Sequence, residues 1–148
     1  MKGSYLLLVT LATGKDILTG KLGYIHFPKA TYAYVGSAMN GFKARLAHHL
    51  KGKKKPRWHI DYLLNEADVL EILLYPSKQR EECILAQALA RGFESIPGFG
   101  SSDCRCKSHL YFGDSEHSMK ERIVQAVGKA GITCKSYHGR SRENDIGI

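Results

Sequence analysis

The chain lacks several features that would assign it to a special class. No apolar run among its 148 residues approaches the roughly 18–20 needed to cross a bilayer as a helix, which excludes a helical membrane protein. It has no internal repeat and no low-complexity tract. The early apolar stretch, Tyr5 to Ala12, is short and no cleavage site follows it. It therefore reads as a first strand rather than a secretory signal, and an intracellular, cytoplasmic protein is expected. Only four cysteines occur, and a chain of this length buries a core without covalent staples. Hydrophobic content of 43% and charged content of 24% exclude a disordered chain. Negative charge is missing over a long stretch: after Asp16 no acidic residue appears until Asp61.

Positive charge fills that stretch. The formal net charge is +8 and the pI about 9.4, which favours a polyanionic partner. Seven of the basic residues fall between positions 43 and 57: Lys43, Arg45, Lys51, Lys53, Lys54, Lys55 and Arg57. Such runs are commonly no more than a solvated surface. This one adjoins the chain's best motif, which favours nucleic acid over lipid or an acidic protein. Binding should then weaken steeply with salt, because each neutralised phosphate releases counterions.

The patterning predicts one α+β domain. Ser4 to Leu11 is apolar on both faces, with Tyr5, Leu7, Val9 and Leu11 on one and Leu6 and Leu8 on the other, as in a strand covered on two sides. Thr13 to Asp16 reads as a turn, Lys21 to Phe27 as a weaker strand stopped by Pro28, and Thr31 to Val35 as a strand ending at Gly36-Ser37. Phe42, Leu46 and Leu50 give a helix over 42–51, capped by Asn40 or Gly41 and closed at Gly52. A short helix over 58–67, a strand over 69–75 and a helix over 80–91 follow. Residues 96–102 read as a loop. Ser118-x-x-Glu121 marks a capping box opening a helix to Lys129. The expected architecture is a small, mainly antiparallel central sheet flanked by helices, with a C-terminal helix. The main domain is expected over 1–112, a helical extension packed on it over 113–137, and a flexible tail over 138–148.

Gly3-Ser4-Tyr5 lies on the first strand and Tyr34-Val35-Gly36-Ser37 on a later one. A helix bearing Arg45 and His49 follows, and a further helix contains Glu82-x-x-Leu85-Ala86. In this combination the chain resembles the GIY-YIG endonuclease superfamily over roughly residues 3–105. Trp58-His59-Ile60-Asp61-Tyr62 and Phe99-Gly100-Ser101-Ser102-Asp103-Cys104-x-Cys106 look like an uncharacterised branch of it, whose members also occur fused to DNA-repair glycosylases. The resemblance implies divalent-metal-dependent hydrolysis of phosphodiester bonds in DNA, in a repair setting, with DNA-repair proteins as partners. By resemblance Tyr5 is the general base, Tyr34 positions water or phosphate, and Glu82 holds one Mg²⁺ or Mn²⁺. Two departures stand out. The stretch between Tyr5 and Tyr34 is longer than usual and contains Gly20-Lys21-Leu22-Gly23, a candidate added strand or loop over the site. The superfamily's terminal asparagine has no clear equivalent, Asp103 being nearest in position. The alternative reading is a non-catalytic nucleic-acid-binding module that keeps the fold.

Elementary chemistry supports the same residues. Arg45 is a permanently charged planar fork suited to phosphate, and His49 lies one helical turn later on the same face, at the border of core and solvent. Glu82 sits at the start of a helix beside an apolar face, where a carboxylate needs a partner or a cation, although Glu81 and Glu82 also suit a helix N-terminus electrostatically. Lys43, Lys51, Lys53, Lys54, Lys55, Arg57 and Trp58 are the expected grip on nucleic acid. His59 and Asp61 are candidates to line the cleft, although such residues more often cap or pair structurally. Cys104-x-Cys106-x-x-His109 with Cys83 offers a zinc ligand set. Buried thiols, or a disulfide such as Cys83–Cys104, compete with that reading because the usual two-residue spacing between paired cysteines is missing.

Overall fold

The computed structural model describes residues 1–113, 116–132, 134 and 136–139. Among these described residues, eight strands and four helices follow one another as β1 (Gly3–Leu11), β2 (Lys15–Leu18), β3 (Tyr24–Phe27), β4 (Ala30–Ala38), α1 (Phe42–Leu50), α2 (His59–Leu64), β5 (Asp68–Pro76), α3 (Glu82–Ala90), β6 (Glu94–Ser95), β7 (Leu110–Gly113), α4 (Glu116–Lys129) and β8 (Ser136–Gly139). Six strands form one sheet in the order β6-β7-β4-β1-β5-β8, and every pairing in it is antiparallel. Strands β2 and β3 make a separate hairpin. This is a small α+β fold, as expected.

β1 sits inside the sheet and is covered on both faces, because side chains alternate along a strand. Tyr5, Leu7, Val9 and Leu11 pack with Phe42 and Leu46 of α1 and Ile60 and Leu63 of α2. Leu6 and Leu8 pack on the other side with Leu85 and Leu89 of α3 and with Met119, Ile123 and Val127 of α4. Two apolar layers therefore sandwich the sheet, and α4 shares the second of them with α3.

Several boundaries differ from the sequence reading. The turn expected at Thr13 to Asp16 gives way at Lys15, where β2 begins; Ile17 turns inward and pairs with Ile25 of β3. Only Tyr24–Phe27 of the weaker strand is extended, and Gly20–Leu22 forms a 3₁₀ turn. Ser118 lies inside α4, which starts at Glu116, so the helix opens ahead of its capping signal. Strand β8 pairs with β5 through Gly139, so the expected tail does not begin at His138; residues 140–148 lie outside the described residues. Strands β6 and β7, the latter on β4, have no counterpart in the sequence reading because each is too short to show a period.

Candidate active site

Strand ends and helix starts meet at one end of the sheet. Tyr5, near the start of β1, lies opposite Gly36 in β4 and Leu74 in β5. From that end β4 leads into α1, which carries Arg45 and His49, and β5 leads into α3, whose first residue is Glu82. Antiparallel pairing thus gathers residues far apart in sequence. The Tyr5 ring passes over Gly36, where an added Cβ would lie 2.3 Å from Tyr5 Cζ. Glycine is required at position 36 for space, not for backbone angle.

Tyr5 is fully buried, and its hydroxyl lies 2.6 Å from His49 Nε2. The rings of Tyr5, Tyr34 and His49 pack together, with centroids 6.5 Å (Tyr5–Tyr34), 5.5 Å (Tyr5–His49) and 6.2 Å (Tyr34–His49) apart. Burial, then the neighbouring Tyr34, holds the Tyr5 phenol well above its ordinary range. The Arg45 guanidinium beside it pulls the other way, and Glu82 adds an upward push. Burial likewise raises Tyr34, with Arg45 opposing and Glu82 and Asp61 adding to the shift. Both phenols feel Arg45 and Glu82, so these two charges lie near the tyrosine pair. Glu82 is 24% exposed and lies 3.6 Å from the well-exposed Arg80.

His49 is only 2% exposed, not at the core–solvent border that its helical spacing suggests. Burial lowers its pKa to about 3 against the attraction of Asp61, with Arg45, His48 and Lys54 lowering it further. Arg45 does occupy the border, its guanidinium 4.2 Å from the Trp58 ring centroid, and Arg57 lies 5.1 Å from the same ring. Trp58 thus serves as a platform for two cations. Lys43, Lys53, Lys55 and Arg57 are exposed, as is Lys51 at the end of α1. Lys54 is half-buried, exchanges backbone hydrogen bonds with the Asn65 side chain, and directs its ammonium to the His49 carbonyl at 3.5 Å.

A cleft of about 270 Å³ opens onto Tyr34 between Trp58, His59, Tyr62, Gly20 and Gly100. The 3₁₀ turn in the long stretch between Tyr5 and Tyr34 therefore reaches the site's rim. His59 lines this cleft, and its Nδ1 accepts the Gly100 N–H at 2.9 Å. Asp61 does not line it. Asp61 is buried behind α1, where Oδ2 accepts the N–H groups of Arg57 (2.8 Å) and Trp58 (3.0 Å) and lies 3.0 Å from His48 Nε2. Burial pushes this carboxyl up, but the bond to His48 and those from Trp58 and Arg57 outweigh it and hold the group below its ordinary range. Asp103 is exposed on the cleft's margin.

Beyond Glu82 a second cluster forms. The ligand atoms of Cys83, Cys104, Cys106 and His109 all lie within 4.8 Å of one another. Cys104 Sγ is 3.4 Å from His109 Nε2. These four residues could bind a metal ion. Cys83, Cys104 and Cys106 are thiols, so the alternative Cys83–Cys104 disulfide is not formed. Burial, then Cys106 and Cys104, pushes the Cys83 thiol up to about 12. A cation among the sulfurs would relieve that crowding by letting them ionise together. Glu82 also acts on His109, which places the cluster beside the tyrosine site.

A family model described as a domain of unknown function, DUF123, matches residues 4–132. The chain belongs to the DUF123 family. Every candidate residue from Tyr5 to His109 falls within the DUF123 match. No curated protein and no solved structure matches the chain. Within the DUF123 region, sequence reasoning missed His48; the sequence offers Asp61 as a cleft residue or a structural cap, and the cap is what forms. For Asp61 a signal existed: it stands three residues after Trp58, where an acid accepts the free N–H groups of a helix start.

Proposed function

We propose that this chain is an endonuclease that hydrolyses phosphodiester bonds in DNA with a divalent cation, on the plan of the GIY-YIG superfamily its motifs resemble, and that it serves DNA repair. The observation that carries the reading is the meeting of the Tyr5 hydroxyl, His49 Nε2, Arg45 and the charge of Glu82 at one end of the sheet. Tyr5 acts as base toward the attacking water, Arg45 holds the phosphate, and Tyr34 orients it beside the cleft. A buried phenol is a poor base at rest. His49 Nε2, already bonded to it, is the group placed to take the Tyr5 proton, and Arg45 with the bound cation would draw the phenol toward phenoxide against the low basicity that burial gives His49.

Glu82 would hold Mg²⁺ or Mn²⁺, and the cation would neutralise charge on the phosphate and the departing oxygen. Its partly exposed carboxylate fits such an ion, because the facing Arg80 is exposed enough to turn away into solvent. Magnesium tolerates a single protein carboxylate when waters and phosphate complete its shell. The thiol-rich cluster suits zinc instead. A tetrahedral shell with Zn–S bonds of ~2.3 Å spaces its ligand atoms ~3.8 Å apart, within the spread seen for Cys83, Cys104, Cys106 and His109. Zinc there would be structural, since all four positions come from protein.

Cleavage of nicked, branched and single-stranded DNA in Mg²⁺ or Mn²⁺ tests the reading. Glu82→Ala should lose at least ~100-fold in turnover, as when a main electrostatic stabiliser is removed, while still binding DNA. No cleavage of any of these substrates by the unmodified protein would leave the non-catalytic binding module as the function.

A further inference from the structure

Two buried atoms behind the tyrosine site face each other without partners. His49 Nδ1 and Asp61 Oδ1 each lack a hydrogen bond, and they lie 4.0 Å apart. The residues are 2% and 0% exposed, so water does not satisfy them readily. All three hydrogen-bonding partners of the Asp61 carboxylate are gathered on Oδ2. Oδ1 keeps its full accepting capacity and directs it at a single imidazole nitrogen.

The tautomer of that imidazole follows from the other side. Tyr5 is a neutral phenol, and the Arg45 guanidinium beside it can only donate. His49 Nε2, at 2.6 Å, is the acceptor for the phenolic proton. Nε2 therefore carries no hydrogen, and the ring's hydrogen sits on Nδ1, toward Asp61. A shift of about 1 Å brings the pair to ordinary hydrogen-bond length.

We propose that Asp61 is a positioning residue for the Tyr5–His49 pair: its Oδ1 takes the Nδ1–H of His49 and holds Nε2 turned to the tyrosine hydroxyl. Its catalytic consequence rests on the endonuclease reading; its geometry does not. When the pair works, the Tyr5 O–H bond breaks and an Nε2–H bond forms. The phenoxide faces Arg45 and the imidazolium faces the Asp61 carboxylate. Asp61 thus favours the charged ring that appears only in the reaction. Further groups bear on His49: Tyr34, His48 and Trp58 by ring contact, and Arg45 and Lys54 through their positive charge. Neither His48 nor Lys54 offers negative charge, so Asp61 alone among these neighbours does so.

Imidazole ¹⁵N–¹H NMR of the full chain tests this, together with cleavage kinetics across pH. The unmodified protein should show His49 as a single neutral tautomer protonated on Nδ1. Asp61→Asn, which keeps an oxygen for the N–H groups of Arg57 and Trp58, should lose that single tautomer. Its kcat should fall about 10- to 100-fold, the usual effect of removing a group that orients a histidine, with KM unchanged and the pH profile displaced. A ring protonated on Nε2 in the unmodified protein overturns the proposal, whether or not the variant folds. So does a His49 tautomer unchanged in a folded Asp61→Asn variant. If the tautomer responds as expected but no DNA is cut, the endonuclease reading falls and the role of Asp61 in orienting His49 stands.

Discussion

At the scale of single residues, the site depends on space left empty as much as on groups supplied. Tyr5 has no room to retreat: its ring fills the volume above Gly36 and its hydroxyl is tied to His49. Gly36→Ala should therefore destabilise the fold by about 1–3 kcal/mol, the usual cost of overpacking, and turn the phenol away from His49. Thermal denaturation paired with cleavage measures both effects. A variant that melts and cuts like the unmodified chain would show that the ring is not seated there. The tyrosines, Arg45 and Glu82 are legible in the sequence because short motifs flag them. His49 is legible too, but not its depth: helical spacing gives the direction of a side chain, not the height of the wall opposite. The capping part of Asp61 is legible three residues after Trp58, whereas its bond to His48, on another helix, leaves no local pattern.

Elements show the same division. β1 is legible because its two apolar faces require cover on both sides, and α1 because its stripe repeats every fourth residue. β2 is not, since Lys15 and Asp16 carry turn chemistry and only Ile17 reports an inward face. Strands as short as β6 and β7 exist through their neighbours rather than through their own residues. The segment from β6 to β7 is fastened by its own backbone, through Gly98 N–H to the Lys107 carbonyl and His109 N–H to the Phe99 carbonyl. It meets α3 at the thiol cluster. A zinc ion there would tie the segment to the turn of α3 that carries Glu82. Elemental analysis of the purified protein should find one zinc per chain. Cys106→Ser should lower that stoichiometry and the melting temperature together. Full zinc retention in the variant would remove Cys106 from the ligand set.

For the whole molecule, charge sets the terms of the proposed association with DNA. The exposed Lys53, Lys55 and Arg57 lie on the segment that leads to Trp58, the residue that shares the cleft with Tyr34. Changing all three to glutamine should weaken binding to every DNA sequence alike. It should also flatten the plot of log affinity against log salt by up to ~0.9 for each phosphate that is no longer neutralised. A slope unchanged in the triple variant would move the nucleic-acid path to another face.

The sheet order has a consequence for how the protein comes apart. β1 is paired along both sides, whereas β6 and β8 form the outer edges. Thermal breathing starts where pairing is one-sided, so a frayed margin leaves the strand bearing Tyr5 intact. The tyrosine strand of the proposed site therefore outlasts partial melting at the rims.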